Sequence, residues 1–418
     1  MASSAHRDYR PWLLILGSLL LSVPGVALRI TNFSDTPEVE TALFGIAILG
    51  VAFLLGSVAE LAEMDTTRGL ALALVALVAI LPEYAVDLVF AWKAADNPEL
   101  AQFAAANMTG SNRLLIGIGW SAVALIFWYK RRAAIKIDRR NALELTFLLI
   151  ATCWAFTIFF RSFFLDGSLT IVDTAVLFGL FFAYLFLTSR GKPPGSSDHA
   201  GPMASLTKLP TKWRRLLVVA LFAIPALIIV AVAEPFADSL LETGRSVGID
   251  EFILVQWLAP LASEAPEMAV AILFASRGLG GMAMGLLLSS KVNQWTLLVG
   301  SLPLAYSINV GSPAALPLDT RQVDEFLLTS AQSLFAVLLL ASFTISWRGG
   351  MVLLVLFMTQ LFFTDTTARI VFSMIYLALA VVIIVGNKDR RDGTLGLLAG
   401  VFRALKPGGG RLGRAGDG

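Results

Sequence analysis

Ile80-Leu81-Pro82-Glu83 and Glu264-Ala265-Pro266-Glu267 decide how this chain is read. Each tetrapeptide lies inside a long apolar run. A carboxylate at membrane depth is costly, so it marks a functional site by default. The proline beside it lacks a backbone donor and leaves a carbonyl one turn back without its helical partner. Two Pro-Glu breaks in corresponding positions of two halves point to a transporter with a central ion site.

Composition agrees with that reading. The chain has 418 residues, of which 57% are hydrophobic and 15% charged, the balance of a polytopic membrane protein. Its one cysteine, Cys153, sits in an apolar run and reads as a small core residue, and a thiolate cluster cannot form. The two histidines, His6 and His199, sit in polar segments, which argues against a histidine metal site or proton relay. No nucleophile–base pair or cofactor motif suggests an enzyme, and no cofactor is expected beyond transported ions. The expected partners are the lipid bilayer and small cations, with no nucleic acid and no obligate protein partner.

Apolar stretches able to cross a bilayer fall near 11–30, 40–64, 69–93, 107–129, 141–160 and 168–189. A second set falls near 214–237, 250–275, 280–307, 325–345, 348–364 and 368–387. The fold expected is an all-α membrane protein of 11–12 transmembrane helices. With both ends placed in the cytoplasm, the inside segments hold 24 of the 32 Lys and Arg residues, as the positive-inside rule requires. The outside loops hold Arg29, Lys93, Arg161, Arg245, Arg321 and Arg369, and Arg113 and Lys291 fall inside spans. The first span has a second reading as a cleavable signal peptide. The membrane implied is the cell membrane, plasma or inner.

These boundaries divide the chain into six parts. Residues 1–38 form an N-terminal cytoplasmic segment and extra helix, and 39–190 a first repeat. A Pro-, Gly- and Ser-rich cytoplasmic linker covers 191–213 and a second repeat 214–365. An extra helix follows at 366–387, then a basic cytoplasmic tail at 388–418. Within the tail, Leu395 to Leu405 reads either as a short amphipathic surface helix or as plain solvated chain.

The repeats align over Leu54–Trp92 and Asp238–Ser276 at a constant offset of 184. Each then meets a cluster of small residues: Thr109-Gly110-Ser111-Asn112 in the first and Ser289-Ser290-Lys291 in the second. In the twelve-span topology the span of Glu83 runs outward and that of Glu267 inward. The repeats are therefore two inverted five-helix units with broken helices at the centre, which allows alternating access.

These residues resemble the cation/calcium exchanger superfamily, which includes the sodium/calcium exchangers, as a divergent member. Family members carry two inverted repeats, each with a Gly-Thr-Ser-x-Pro-Glu type motif and, on the next helix, a Gly-Ser-Asn type motif. The resemblance implies that Glu83 and Glu267 are the central metal ligands. It adds Ser111, Ser290, Ser263 and Gln294 to the ion-binding set. The departures matter too: Ala79 and Ile80 replace a hydroxyl pair, Leu115 fills an Asn/Asp slot, Glu264 replaces a hydroxyl residue and Lys291 replaces an asparagine. Asp87, Glu264, Lys291, Asn112 and Arg113 are candidates for coupling or charge balance.

Calcium takes about six to eight oxygen ligands. Two bidentate glutamates, freed carbonyls and the Ser and Gln side chains can supply them. Glu83, Asp87, Glu264 and Glu267 against Arg113 and Lys291 leave two net negative charges, which one divalent cation, two sodium ions or two protons would neutralise. Lys291 reads as a tethered cation, as a proton carrier, or as a structural or snorkelling lysine. Arg113 reads as structural, with Asp87 or Glu83 as its partner. Glu60, Glu63 and Glu234 read as vestibule or water-facing span-end carboxylates, and Trp120, Trp128 and Tyr129 as an interfacial belt. The function expected is secondary antiport of calcium, or a related cation, for sodium or protons. A sodium/proton exchanger on the same scaffold and a non-transporting scaffold or sensor are the alternatives.

Overall fold

The computed structural model describes residues 9–34, 36–62, 81–190, 203–363 and 365–404. Ala79, Ile80, Glu63, residues 69–80 of the expected 69–93 span and residues 191–202 of the linker lie outside them.

The described chain is nearly all helix. In order, it forms α1 (Arg10–Thr31), α2 (Pro37–Ala62), α3 (Leu81–Lys93), α4 (Ala101–Leu114) and α5 (Ser121–Arg131). Then come β1 (Ile135–Lys136), α6 (Ala142–Arg161), β2 (Ser168–Leu169), α7 (Ile171–Ser189), α8 (Thr211–Val247) and α9 (Glu251–Ser276). The rest is α10 (Gly280–Asn293), α11 (Val299–Val310), β3 (Leu316–Pro317), α12 (Thr320–Leu340), β4 (Thr344–Ile345), α13 (Trp347–Gln360), α14 (Thr366–Gly386) and α15 (Lys388–Ala404). Eleven of the twelve expected spans coincide with described helix, and the 69–93 span does so from Leu81 on. Among the described residues, nine helical segments are long and apolar enough to cross a membrane unaided. The 14-residue α13 falls short; at 1.5 Å per residue it covers about 21 Å of a hydrocarbon core about 30 Å thick.

The chain divides into two compact units, residues 1–90 with 189–267, and residues 91–188 with 268–418. In the first, α2 packs along α8 and α1 packs on α2. Their contact is close because Gly25 lies against Leu43 and Ala47, and Gly50 against the Ser18 carbonyl. Thr41 and Thr243 share a buried hydrogen bond of 2.9 Å, and Ser246 donates to Glu38.

The second unit shows the repeat plainly. Helix, π segment, helix, strand, helix, strand, helix occurs twice, as α4 to α7 and as α10 to α13. β1 pairs antiparallel with β4, and β2 with β3. Each strand thus pairs with the non-equivalent strand of the other repeat, so exchanging the repeats turns one sheet into the other. Paired strands share one face of the membrane. That requires an even number of spans between β1 and β4, and six of the expected spans lie there. At the centre of this unit stands α12, buried at 18 of its 21 positions, polar residues included.

Several expectations change here. Helix α9 runs unbroken through Pro260 and Pro266; packing holds it although Pro266 deprives the Ala262 carbonyl of its partner. The irregular backbone lies one helix later, in π segments at Leu115–Trp120 and Gln294–Leu298. Cys153 is exposed on α6 rather than in the core. Trp120 is fully buried rather than interfacial, while Trp128 packs tilted against Trp347, ring centroids 5.0 Å apart, and lies under Arg132. The basic tail begins with a 17-residue helix packed on α6 and α14. Gly393 permits that docking, since a Cβ there would lie 2.1 Å from the Ala341 carbonyl oxygen.

Candidate functional site

In the first unit, α3 and α9 carry the carboxylates. Glu83, Asp87 and Glu264 are buried and Glu267 is half-buried. Glu83 and Asp87 stand one turn apart on one face of α3, and Glu264 and Glu267 three residues apart on α9, the spacing that keeps side chains on a common face. Ser263, half-buried beside them, donates back to the Ala259 and Pro260 carbonyls at 3.4 and 3.2 Å. Its oxygen keeps acceptor capacity while its proton is held by the helix. Glu234 is exposed on α8, with Asp238 and Glu242 exposed at the next two turns, which fits a water-facing carboxylate rather than a core one.

In the second unit the paired motifs lie on α4 and α10. Ser111 and Asn112 are fully buried, and Ser290 and Lys291 nearly so. Lys291 Nζ donates to Asn112 Oδ1 at 2.6 Å and to the Asn112 carbonyl at 3.1 Å. Asn112 Nδ2 donates to the Met108 carbonyl at 2.8 Å, which turns the amide oxygen toward the ammonium. The Lys291 ammonium also lies over the Trp295 indole, 4.8 Å from its centroid. A snorkelling role is excluded, because Lys291 is 1% exposed and its ammonium is bonded to Asn112 of α4.

Equivalent positions meet the π segments too. Leu115 opens the first and Gln294, buried, opens the second. A π turn inserts a residue, widens the helix and frees backbone groups, and it occurs mostly at functional places. Thr296 braces the second segment by donating to the Val292 carbonyl at 2.5 Å. Gly117 lets α13 approach the first segment: a Cβ there would lie 2.1 Å from Phe357 Cγ.

Arg113 has a carboxylate partner that the repeat comparison gives no reason to single out. It pairs with Glu325 of α12 at 2.5 Å, and Arg369 of α14 pairs with the other oxygen of Glu325 at 2.7 Å. Arg369, placed in an outside loop by the sequence, is buried instead. Gln332 Nε2 closes the cluster by donating to the Arg113 carbonyl at 3.3 Å. Arg161 is likewise tied down, to the buried Asp173 at 2.8 Å. In the first repeat, Glu144 of α6 accepts from the Tyr184 hydroxyl at 3.2 Å, and Tyr184 shares a 3.2 Å hydrogen bond with Ser289. Acidic residues early in apolar runs were the only sequence signal for Glu144 and Glu325.

Among the described residues, no three Asp, Glu, His or Cys side chains group to hold a metal ion.

The sodium/calcium exchanger protein family matches residues 39–190 and 217–364. A solved structure described as the crystal structure of the H+/Ca2+ exchanger CAX is 41% identical, with a TM-score of 0.88 over 95% of this chain and 99% of that one. The structure of native YfkE (15% identity, TM-score 0.59, 87% of this chain and 99% of that one) shares the fold. So does the sodium-calcium exchanger NCX_Mj (18% identity, TM-score 0.52, 79% of this chain and 99% of that one). Among curated proteins no sequence match is found. The chain is an integral membrane protein and belongs to the sodium/calcium exchanger family.

Proposed function

We propose that this antiporter moves calcium, or a closely related divalent cation, in exchange for protons. One observation carries the choice of ions: 41% identity, over 95% of the chain, to a structure described as an H+/Ca2+ exchanger. Carboxylate chemistry supports it. Glu83 and Glu267 bind the cation, with Asp87 and Glu264 adjusting the charge of the same helices. Calcium and protons then compete for the same oxygens, and that competition couples their opposed movement. Ser263, beside Glu264 on the same helix as Glu267, adds a hydroxyl oxygen of the kind calcium requires.

The charge balance supports a two-proton or one-calcium load. Arg113 is taken up by Glu325, and Arg369 matches the added acid, so among these eight groups of the motif regions and the cluster the two net negative charges persist. Alternating access follows from the inverted repeat. Both termini face the cytoplasm and the membrane is the cell membrane, as the Lys and Arg distribution supports.

The test is flux in everted vesicles, with calcium, sodium and pH gradients varied separately. Calcium uptake driven by a pH gradient, with release of protons, is the expected result. Proton movement with sodium but no calcium dependence would replace this reading with sodium/proton exchange. No ion-dependent flux of any kind would leave a scaffold.

A further inference from the structure

The second unit joins two residues that the internal repeat makes equivalent. Asn112 follows Ser111 on α4, and Lys291 follows Ser290 on α10. The first repeat puts a neutral amide at this place and the second a cation. The two meet directly, the ammonium 2.6 Å from the amide oxygen and 3.1 Å from the carbonyl oxygen of one residue.

That geometry is a cation site with its cation attached. Two oxygens of Asn112 converge on one monovalent positive charge, with an indole face on another side. The amide cannot turn away, because its nitrogen is engaged by the Met108 carbonyl. An ammonium group is compact, singly charged and bound through oxygen acceptors, as an alkali cation is. Its four-carbon stem is sealed within the helix packing, with 1% exposure, so the charge cannot exchange with solvent ions. A free sodium ion at this place would meet a like charge within bonding distance of its own ligands.

We infer that Lys291 is a specificity-determining residue: its ammonium occupies, from within the chain, a position that an exchangeable monovalent cation would take. Sodium is thereby excluded and protons remain as the coupling ion. This rests on the exchange reading above, and it names the feature of this chain that sets its coupling ion.

The experiment uses the full chain with Lys291→Asn, which makes the second repeat match the first, and Lys291→Arg, which keeps the charge. Two readouts are taken: calcium uptake driven by an outward sodium gradient at constant pH, and the shift of the melting temperature on adding sodium chloride rather than choline chloride. Wild type and Lys291→Arg should show neither. Lys291→Asn should gain sodium-driven uptake at least about tenfold above wild type and be stabilised by sodium, since a bound ion stabilises by mass action. A folded Lys291→Asn with no response to sodium in either readout would overturn the inference. So would sodium-driven calcium uptake by wild type, a result that needs no variant to fold. If wild type moves calcium with neither gradient, the exchange reading fails by itself, while the sodium-dependent melting shift of Lys291→Asn still decides this inference.

Discussion

Lys291 and Asn112 occupy the same place in the two halves of the chain, and they touch: the lysine ammonium lies 2.6 Å from the asparagine amide oxygen. The internal pseudo-two-fold of the second unit therefore passes between them. Both are buried, so the contact is sensitive to the loss of either partner, but not equally. Asn112→Leu leaves an ammonium without its amide acceptor and should cost about 3 kcal/mol or more, as for other buried charges stripped of a partner. Lys291→Met leaves only an amide and should cost less. Thermal unfolding of both variants in detergent checks the order; equal losses would deny the contact its weight.

The Arg113–Glu325–Arg369 cluster makes a second ordered set. Glu325 accepts from two guanidinium groups, one on α4 and one on α14, so it ties three helices together. Glu325→Gln leaves two buried positive charges facing a neutral amide and should be the most damaging, by about 3–5 kcal/mol. Arg369→Met removes one of two cations from a carboxylate that keeps Arg113 and should be milder. Melting temperatures should rank wild type, then Arg369→Met, then Glu325→Gln.

Gly117 is a steric prediction. Phe357, fully buried, stacks where a side chain at position 117 would point. Gly117→Ala should destabilise by about 1–3 kcal/mol through overpacking. Phe357→Ala in the same chain should recover part of that loss, so the two changes combine less than additively. Full additivity in melting measurements would show that α13 does not rest on the first π segment.

Calcium binding should weaken as pH falls. Protons and calcium compete for carboxylate oxygens, so protonating either glutamate removes ligands and negative charge together. Calcium should raise the melting temperature more in mildly alkaline than in mildly acidic buffer. The opposite order would mean that the bound form carries the protons.

How much of this was legible beforehand depends on the residue. Glu83 and Glu267 announce themselves, because a carboxylate beside a proline in an apolar run has few bland readings, and two at one offset have fewer. The helices followed from the length of apolar runs, since a bilayer fixes that length. What pairing contributes was hidden. Glu325 and Arg369 are 44 positions apart and look like span-end charges until helix packing brings them together. The π segments were also hidden: the second, Gln294–Leu298, holds no proline or glycine, and Gly117 in the first shows its purpose only against Phe357. Cys153 and Trp120 went the other way: each has an apolar neighbourhood in sequence, and which face of its helix it occupies is set by packing alone. Helix α15 was half legible, since glycines weaken its helical signal and Gly393 shows its purpose only against Ala341.

The most direct measurement of the central claim is proton-driven calcium uptake in everted vesicles by wild type, Glu83→Gln and Glu267→Gln, with each protein's amount and melting temperature determined in parallel. Glutamine keeps the shape and a carbonyl oxygen while removing the charge. The account predicts robust uptake by wild type and loss of at least about 95% of it, roughly 1.8 kcal/mol in rate terms, in each folded variant. Wild-type uptake in both folded variants would contradict it.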